Sequence, residues 1–233
     1  MRIAITRPQA EGERSAAALR AHGHDVLVAP LMHVEPISAN LAGDWSAVVV
    51  TSGNAPLAAR ANSNLLALPL YAVGARSAEA ARRAGFADVT SADGDVHDLV
   101  RLIAARPRDR KPLLYLAGED RAADLVAELA GHGIEAAMRI VYRAVTAPFP
   151  AALTSALRDG TLDAVLHYSA RSAENYVAGA AAAGIAPAAL AVRHLCLSAQ
   201  VAAPLSAAGA ADIAVAKQPD EAAIVELLGP SGG

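Results

Sequence analysis

The chain carries nearly the same strand-and-turn pattern twice, and that doubling restricts its possible folds more than any other feature. Ala47-Val48-Val49-Val50-Thr51-Ser52-Gly53-Asn54 is an apolar run that closes in small polar residues, and Ala164-Val165-Leu166-His167-Tyr168-Ser169-Ala170-Arg171 echoes it. Tyr71-Ala72-Val73-Gly74-Ala75-Arg76-Ser77-Ala78 is answered by Leu195-Cys196-Leu197-Ser198-Ala199-Gln200-Val201-Ala202. The N-terminal run Ile3-Ala4-Ile5-Thr6-Arg7-Pro8 resembles Leu113-Leu114-Tyr115-Leu116-Ala117-Gly118, and each leads into a helix-like stretch that stops at Gly23 or Gly133. Two similar halves predict two similar domains with a cleft between them, and such clefts are where small ligands bind.

Short apolar runs at 2–6, 25–29, 46–51, 69–73, 112–116, 163–168 and 193–198 read as buried strands. Ala10–Ala21, Ser77–Ala84, His97–Ala105, Ala122–His132 and Ser172–Ala182 read as helices, several ending at a glycine (Gly23, Gly85, Gly133, Gly184) that tolerates a left-handed cap. Strand–helix alternation implies right-handed crossovers and parallel sheets covered by helices. The fold class is α/β. Two extended segments, 30–36 and 140–146, interrupt the alternation, each after the second strand of its half. They are expected to pair as a two-segment β-ladder linking the domains. The first domain is then discontinuous, residues 1–30 plus 147–233, around a second domain at 36–140. Two covalent crossings would act as a hinge.

Composition removes several function classes. A chain of 233 residues with 54% hydrophobic content, much of it alanine, can bury a sizeable core. No apolar stretch reaches the ~18 residues of a membrane span, and the N-terminal apolar run is too short for a signal peptide. A net charge of -3, two Phe and one Trp offer neither a basic footprint nor a stacking platform for nucleic acid. The single cysteine, Cys196, excludes an internal disulfide, reads as a small buried residue, and predicts a reducing, cytoplasmic location. Neither a nucleic-acid nor a membrane partner is expected, and a monomer is. His22, His24 and His132 read as surface turn residues, and His167 as a core histidine within reach of the cleft.

Phosphate-loop, G-x-S-x-G and G-x-G-x-x-G motifs are all missing from the sequence. The remaining signal lies at strand ends: Thr51-Ser52-Gly53-Asn54, Gly74-Ala75-Arg76-Ser77 and Tyr168-Ser169-Ala170-Arg171-Ser172 each close a strand and open a helix. In open α/β sheets ligands bind beyond the carboxyl ends of strands, where helix N-termini favour anions. The same Ser and Thr residues also serve as plain helix caps. Two functions fit this pattern, an enzyme acting on a polyanionic small molecule and a hinged, non-catalytic sensor of one. A nucleotide-dependent enzyme lacks its phosphate motifs.

Taken in order, Ile5-Thr6-Arg7-Pro8, Pro30-Leu31, Thr51-Ser52-Gly53-Asn54-Ala55, Val73-Gly74-Ala75-Arg76-Ser77-Ala78, Ala84-Gly85-Phe86, Gly118-Glu119-Asp120-Arg121 and Val141-Tyr142-Arg143 resemble the uroporphyrinogen-III synthase family over almost the whole chain. The resemblance implies that hydroxymethylbilane, a linear tetrapyrrole rich in carboxylates, is closed to uroporphyrinogen III with inversion of the last pyrrole ring and loss of water. It implies no metal and no organic cofactor. Loss of the terminal hydroxyl gives an azafulvene; attack at the substituted carbon of the last ring gives a spiro intermediate, which rearranges. Such a task calls for orientation and shielding more than for a strong nucleophile. Tyr142 matches the family's linker tyrosine: a phenol keeps its proton at neutral pH and can donate to the departing oxygen. Its alternative role is packing against the cleft wall. Ser52, Ser77 and Ser169 match positions that contact substrate, alongside Thr51 and Asn54, while Arg7, Arg143 and Arg171 would add charge-assisted bonds. At Ser198-Ala199-Gln200-Val201 the chain departs from the family, with Val201 where a threonine is usual, leaving Gln200 and Val201 to bind through backbone amides.

Overall fold

The computed structural model describes residues 1–106, 109, 111–120 and 124–229. The chain divides into two compact units, Val34–Ala144 and the remainder on either side of it (Met1–His33 and Val145 onward). In chain order the elements are β1 (Arg2–Ile5), α1 (Gln9–Ala21), β2 (Asp25–Val28), β3 (Met32–Pro36), β4 (Ala47–Val50), a 3-10 turn (Pro56–Ala59), α2 (Ser63–Leu66), β5 (Leu70–Ala72), α3 (Ala75–Ala84), β6 (Val89–Ser91), α4 (Val96–Ala104), β7 (Leu113–Gly118), α5 (Leu125–Gly131) and β8 (Ala136–Thr146). There follow α6 (Ala151–Arg158), β9 (Ala164–His167), α7 (Ala170–Ala182), α8 (Ala186–Ala191), β10 (Arg193–Cys196), α9 (Ala199–Ala207), β11 (Ile213–Val215) and α10 (Glu221–Glu226). The expected α/β class, with parallel sheets, is what forms.

In the discontinuous unit β1 pairs in parallel with β2 and β9, and β10 with β9 and β11. Its strand order is β2-β1-β9-β10-β11. Side chains alternate across this sheet: Ala4 and Val165 enter one cluster, Ile3, Ile5, Ala164 and Leu166 the other. Both faces are therefore covered, which is why these strands read as unbroken apolar runs. The continuous unit repeats the arrangement, with Val48, Val50, Leu114 and Leu116 on one side and Ala47, Val49, Leu113 and Tyr115 on the other. Its order is β8-β7-β4-β5-β6, with β3 beside β8.

The two sheets explain the doubled sequence. Matching β1 with β7, β2 with β8, β9 with β4, β10 with β5 and β11 with β6 gives one spatial order in both units. The chain enters that order at β1 in one unit and at β4 in the other, so the copies are circular permutations. The correspondence reaches single residues. His22 and His132 close α1 and α5 with nearly equal angles (φ -91° and -100°), each followed by a glycine at positive φ, Gly23 (82°) and Gly133 (68°).

Several expectations need correction. The extended segment expected at 140–146 is continuous with the preceding strand, so β8 is one strand of 11 residues rather than two pieces. The turn after β4 opens a 3-10 turn instead of an α-helix. The α2, α6, α8, α9 and α10 helices and the short β6 and β11 strands have no counterpart among the expected elements. His24 is buried rather than a surface turn residue. The start of the helix expected at Ala122, the family-like Arg121 and the residues from Pro230 onward lie outside the described residues.

Candidate active site

The continuous unit holds a pocket of about 600 Å³ at the carboxyl ends of its strands. Apolar groups form most of its wall, including Val34 and Pro36 of β3, Leu57 of the 3-10 turn and Val141 of β8. Asn54, Ser38 and Tyr142 are its polar residues. Tyr142 and the Gly53-Asn54 turn, chosen from sequence separated by almost ninety positions, thus meet on one cavity. The Tyr142 ring is half-buried against the Val48–Leu116 cluster. Among the described residues its hydroxyl has no hydrogen-bond partner, and the residue lines a space large enough for a ligand.

A break in strand register sets this geometry. Ala117 pairs with Ile140, but Gly118 pairs with Tyr142, so Val141 is the extra residue of a bulge. Successive strand residues normally face opposite sides; a bulge re-aims one of them. Here Val141 and Tyr142 both reach the pocket. The Glu119 amide donates to the Tyr142 carbonyl at 2.9 Å and secures the backbone beyond the bulge.

The neighbouring turn is internally satisfied. Thr51 Oγ1 and Tyr115 Oη lie 2.9 Å apart, and Ser52 Oγ accepts from the Asn54 amide at 3.2 Å. Arg143 gives two nitrogens to Glu35 Oε2, at 3.0 and 3.2 Å, an exposed pair between neighbouring strands. Ser77 sits inside α3, 5% exposed, and does not cap it.

In the discontinuous unit the sequence-selected residues serve several roles. Ser169 caps α7 by accepting from the Ser172 amide at 3.1 Å, and Ser198 caps α9 by accepting from the Val201 amide at 3.4 Å. Val201 is 5% exposed and packs in the core, while Gln200 and Arg171 are exposed. Position 201 therefore presents no side chain, and its amide is already bound. Arg7 donates to Ser15 Oγ at 2.9 Å, lies 3.6 Å from Glu221 and stacks 4.2 Å from the centre of the Tyr168 ring. That guanidinium is mostly buried, and burial also raises the pKa of Tyr168 above the usual phenol range.

The family model described as uroporphyrinogen-III synthase HemD matches residues 13–226. The chain belongs to the uroporphyrinogen-III synthase family. No curated protein gives a match. A uroporphyrinogen-III synthetase from Helicobacter pylori superposes with a TM-score of 0.64 at 17% identity, covering 98% of each chain. A mutant uroporphyrinogen III synthase from Thermus thermophilus gives 0.50 at 20% identity, covering 98% of this chain and 97% of that one. These likenesses establish the shared fold. Members of the uroporphyrinogen-III synthase family are lyases that close hydroxymethylbilane to uroporphyrinogen III.

Two features of this site are not legible in the sequence. Ser38, Leu57 and Val34 line the pocket from segments that carry no motif, and Gly118 figures in the sequence only in the strand-end repeat and in the family-like run Gly118-Glu119-Asp120-Arg121. The sole signal for Gly118 was a glycine closing a strand, which often marks a bulge or a close approach. His167, in contrast, is a core residue: it is fully buried, with Nε2 3.2 Å from Nδ1 of His194 and its ring edge-on to Tyr176. Among the described residues, no group of three or more His, Cys, Asp or Glu side chains is placed to hold a metal ion.

Proposed function

We propose that this chain performs the family's ring closure with the 600 Å³ pocket of the continuous unit as its reaction chamber. The observation that carries the proposal is the convergence of Tyr142 with Gly53 and Asn54 on that one cavity. The Tyr142 hydroxyl donates to the terminal hydroxyl of hydroxymethylbilane. The C–O bond breaks as the pyrrole nitrogen's electron pair forms the azafulvene; the oxygen takes the phenol's proton and leaves as water, and the pyrrole N–H proton returns to the phenolate. Apolar walls suit the faces of pyrrole rings and keep water from the azafulvene, which would otherwise capture it. Holding the last ring so that its substituted carbon attacks is a matter of orientation, a larger source of rate than any single acid here.

Substrate carboxylates are held by the polar turn after β4, Thr51, Ser52 and Asn54, which adjoins this pocket. Arg7 and Arg143 act through their ion pairs with Glu221 and Glu35, shaping the turns beside them. Cys196 is buried, its pKa pushed up to about 12 by desolvation, so it stays a protonated thiol with no disulfide partner. This suits a monomeric enzyme of the cytoplasm. Among the described residues no helix is long and apolar enough to cross a membrane; sedimentation of the purified chain tests the monomer.

The decisive assay incubates the protein with freshly generated hydroxymethylbilane and separates the product isomers. Isomer III is expected. Isomer I alone, the product of spontaneous closure, would reject the proposal, and tight binding without turnover would turn it toward a polyanion sensor.

A further inference from the structure

We propose that Gly118 is a positioning residue for Tyr142, keeping open the space in which the phenol stands; this rests on the reading that the Tyr142 hydroxyl assists water loss. A Cβ at position 118 would lie 2.5 Å from Cζ, 2.6 Å from Oη and 2.7 Å from Cε2 of Tyr142. These are its three nearest neighbours, and all belong to the reactive end of one side chain. Gly118 is not among the glycines with positive φ, so alanine meets no backbone obstacle there. The requirement is for space alone. Because the atoms in the way are the far end of a side chain, the ring can swing aside and the strand need not break. The bulge fixes the other half of the arrangement, setting the Tyr142 backbone opposite Gly118 rather than one residue away. Tyr142 is thus aimed by two neighbours, a bulge that chooses its direction and a glycine that admits its tip.

Gly118→Ala should lower kcat at least fivefold with KM changed less than twofold, because bound substrate is retained while the donor is displaced. The Gly118→Ala/Tyr142→Phe double variant should be no slower than Tyr142→Phe alone, since a displaced hydroxyl and a missing one are the same defect. Multiplying losses would overturn the proposal. A second readout separates it from the catalytic reading. With ring-labelled tyrosine, the Tyr142 resonance, assigned by its loss in Tyr142→Phe, should shift in Gly118→Ala. An unmoved resonance overturns the positioning role whatever the kinetics, whereas a shifted resonance together with a fully active Tyr142→Phe would retire only the hydroxyl's part in water loss. If Gly118→Ala fails to fold, Gly118→Ala/Tyr142→Ala, which removes the obstructing ring, should restore the fold. Continued misfolding there would overturn the proposal.

Discussion

Tyr142 is the residue on which most of the site depends, and its hydroxyl contributes little to packing because no described residue accepts from it. Tyr142→Phe should therefore lower kcat severalfold while leaving the melting temperature within about 2 °C, a shift equal to well under 1 kcal/mol in a domain of this size. Wild-type turnover in that variant would return the ring to a packing role. Arg7 behaves differently. Its guanidinium joins β1 to Ser15, Tyr168 and Glu221, so Arg7→Met should cost about 1–2 kcal/mol of stability in urea denaturation, with Glu221→Gln losing part of the same energy. Position 142 stood out in the sequence because it matches the family's linker tyrosine. The true setting of Arg7 did not, since its partners lie at positions 15, 168 and 221.

Elements that span both faces of a sheet were legible, and those at its margins were not. β4, β7 and β9 are buried throughout and read as apolar runs, whereas β6 and β11 have three residues each and are at most half-buried. α9 was obscured by Pro204 in its interior, which removes one helical hydrogen bond and argues locally against a helix. Tertiary contacts outweigh that penalty by burying Val201, Ala202 and Leu205 in the core. The strand-end hydroxyls illustrate the same ambiguity, because a cap and an anion ligand look alike in sequence. Ser169→Ala removes an observed cap, so it should destabilise the discontinuous unit by about 1 kcal/mol. A fall in thermal stability without a rise in KM would assign Ser169 to capping alone.

The pH response belongs to the molecule as a whole. His167 and His194 are both buried in the discontinuous unit, where desolvation drives the His167 pKa well below the ordinary value and brings His194 down to about 4. Both bind protons more readily when the chain is unfolded, near the reference value of about 6.5. Their contribution to stability is complete above that pH and is lost as pH falls toward about 4, by linkage. Melting temperatures should decline across this window, and the decline should be shallower in a His167→Leu/His194→Leu variant; equal slopes would remove the pair as the cause. From sequence alone, local chemistry established the α/β class, the buried strands and the doubling, because strand burial and helix caps leave their period and punctuation in neighbouring residues. Strand order could not be read that way. That the two copies are circular permutations, that Val141 is an extra residue, and that Gly118 admits the tip of Tyr142 all depend on pairings between distant segments, and those are chosen by how the sheet packs.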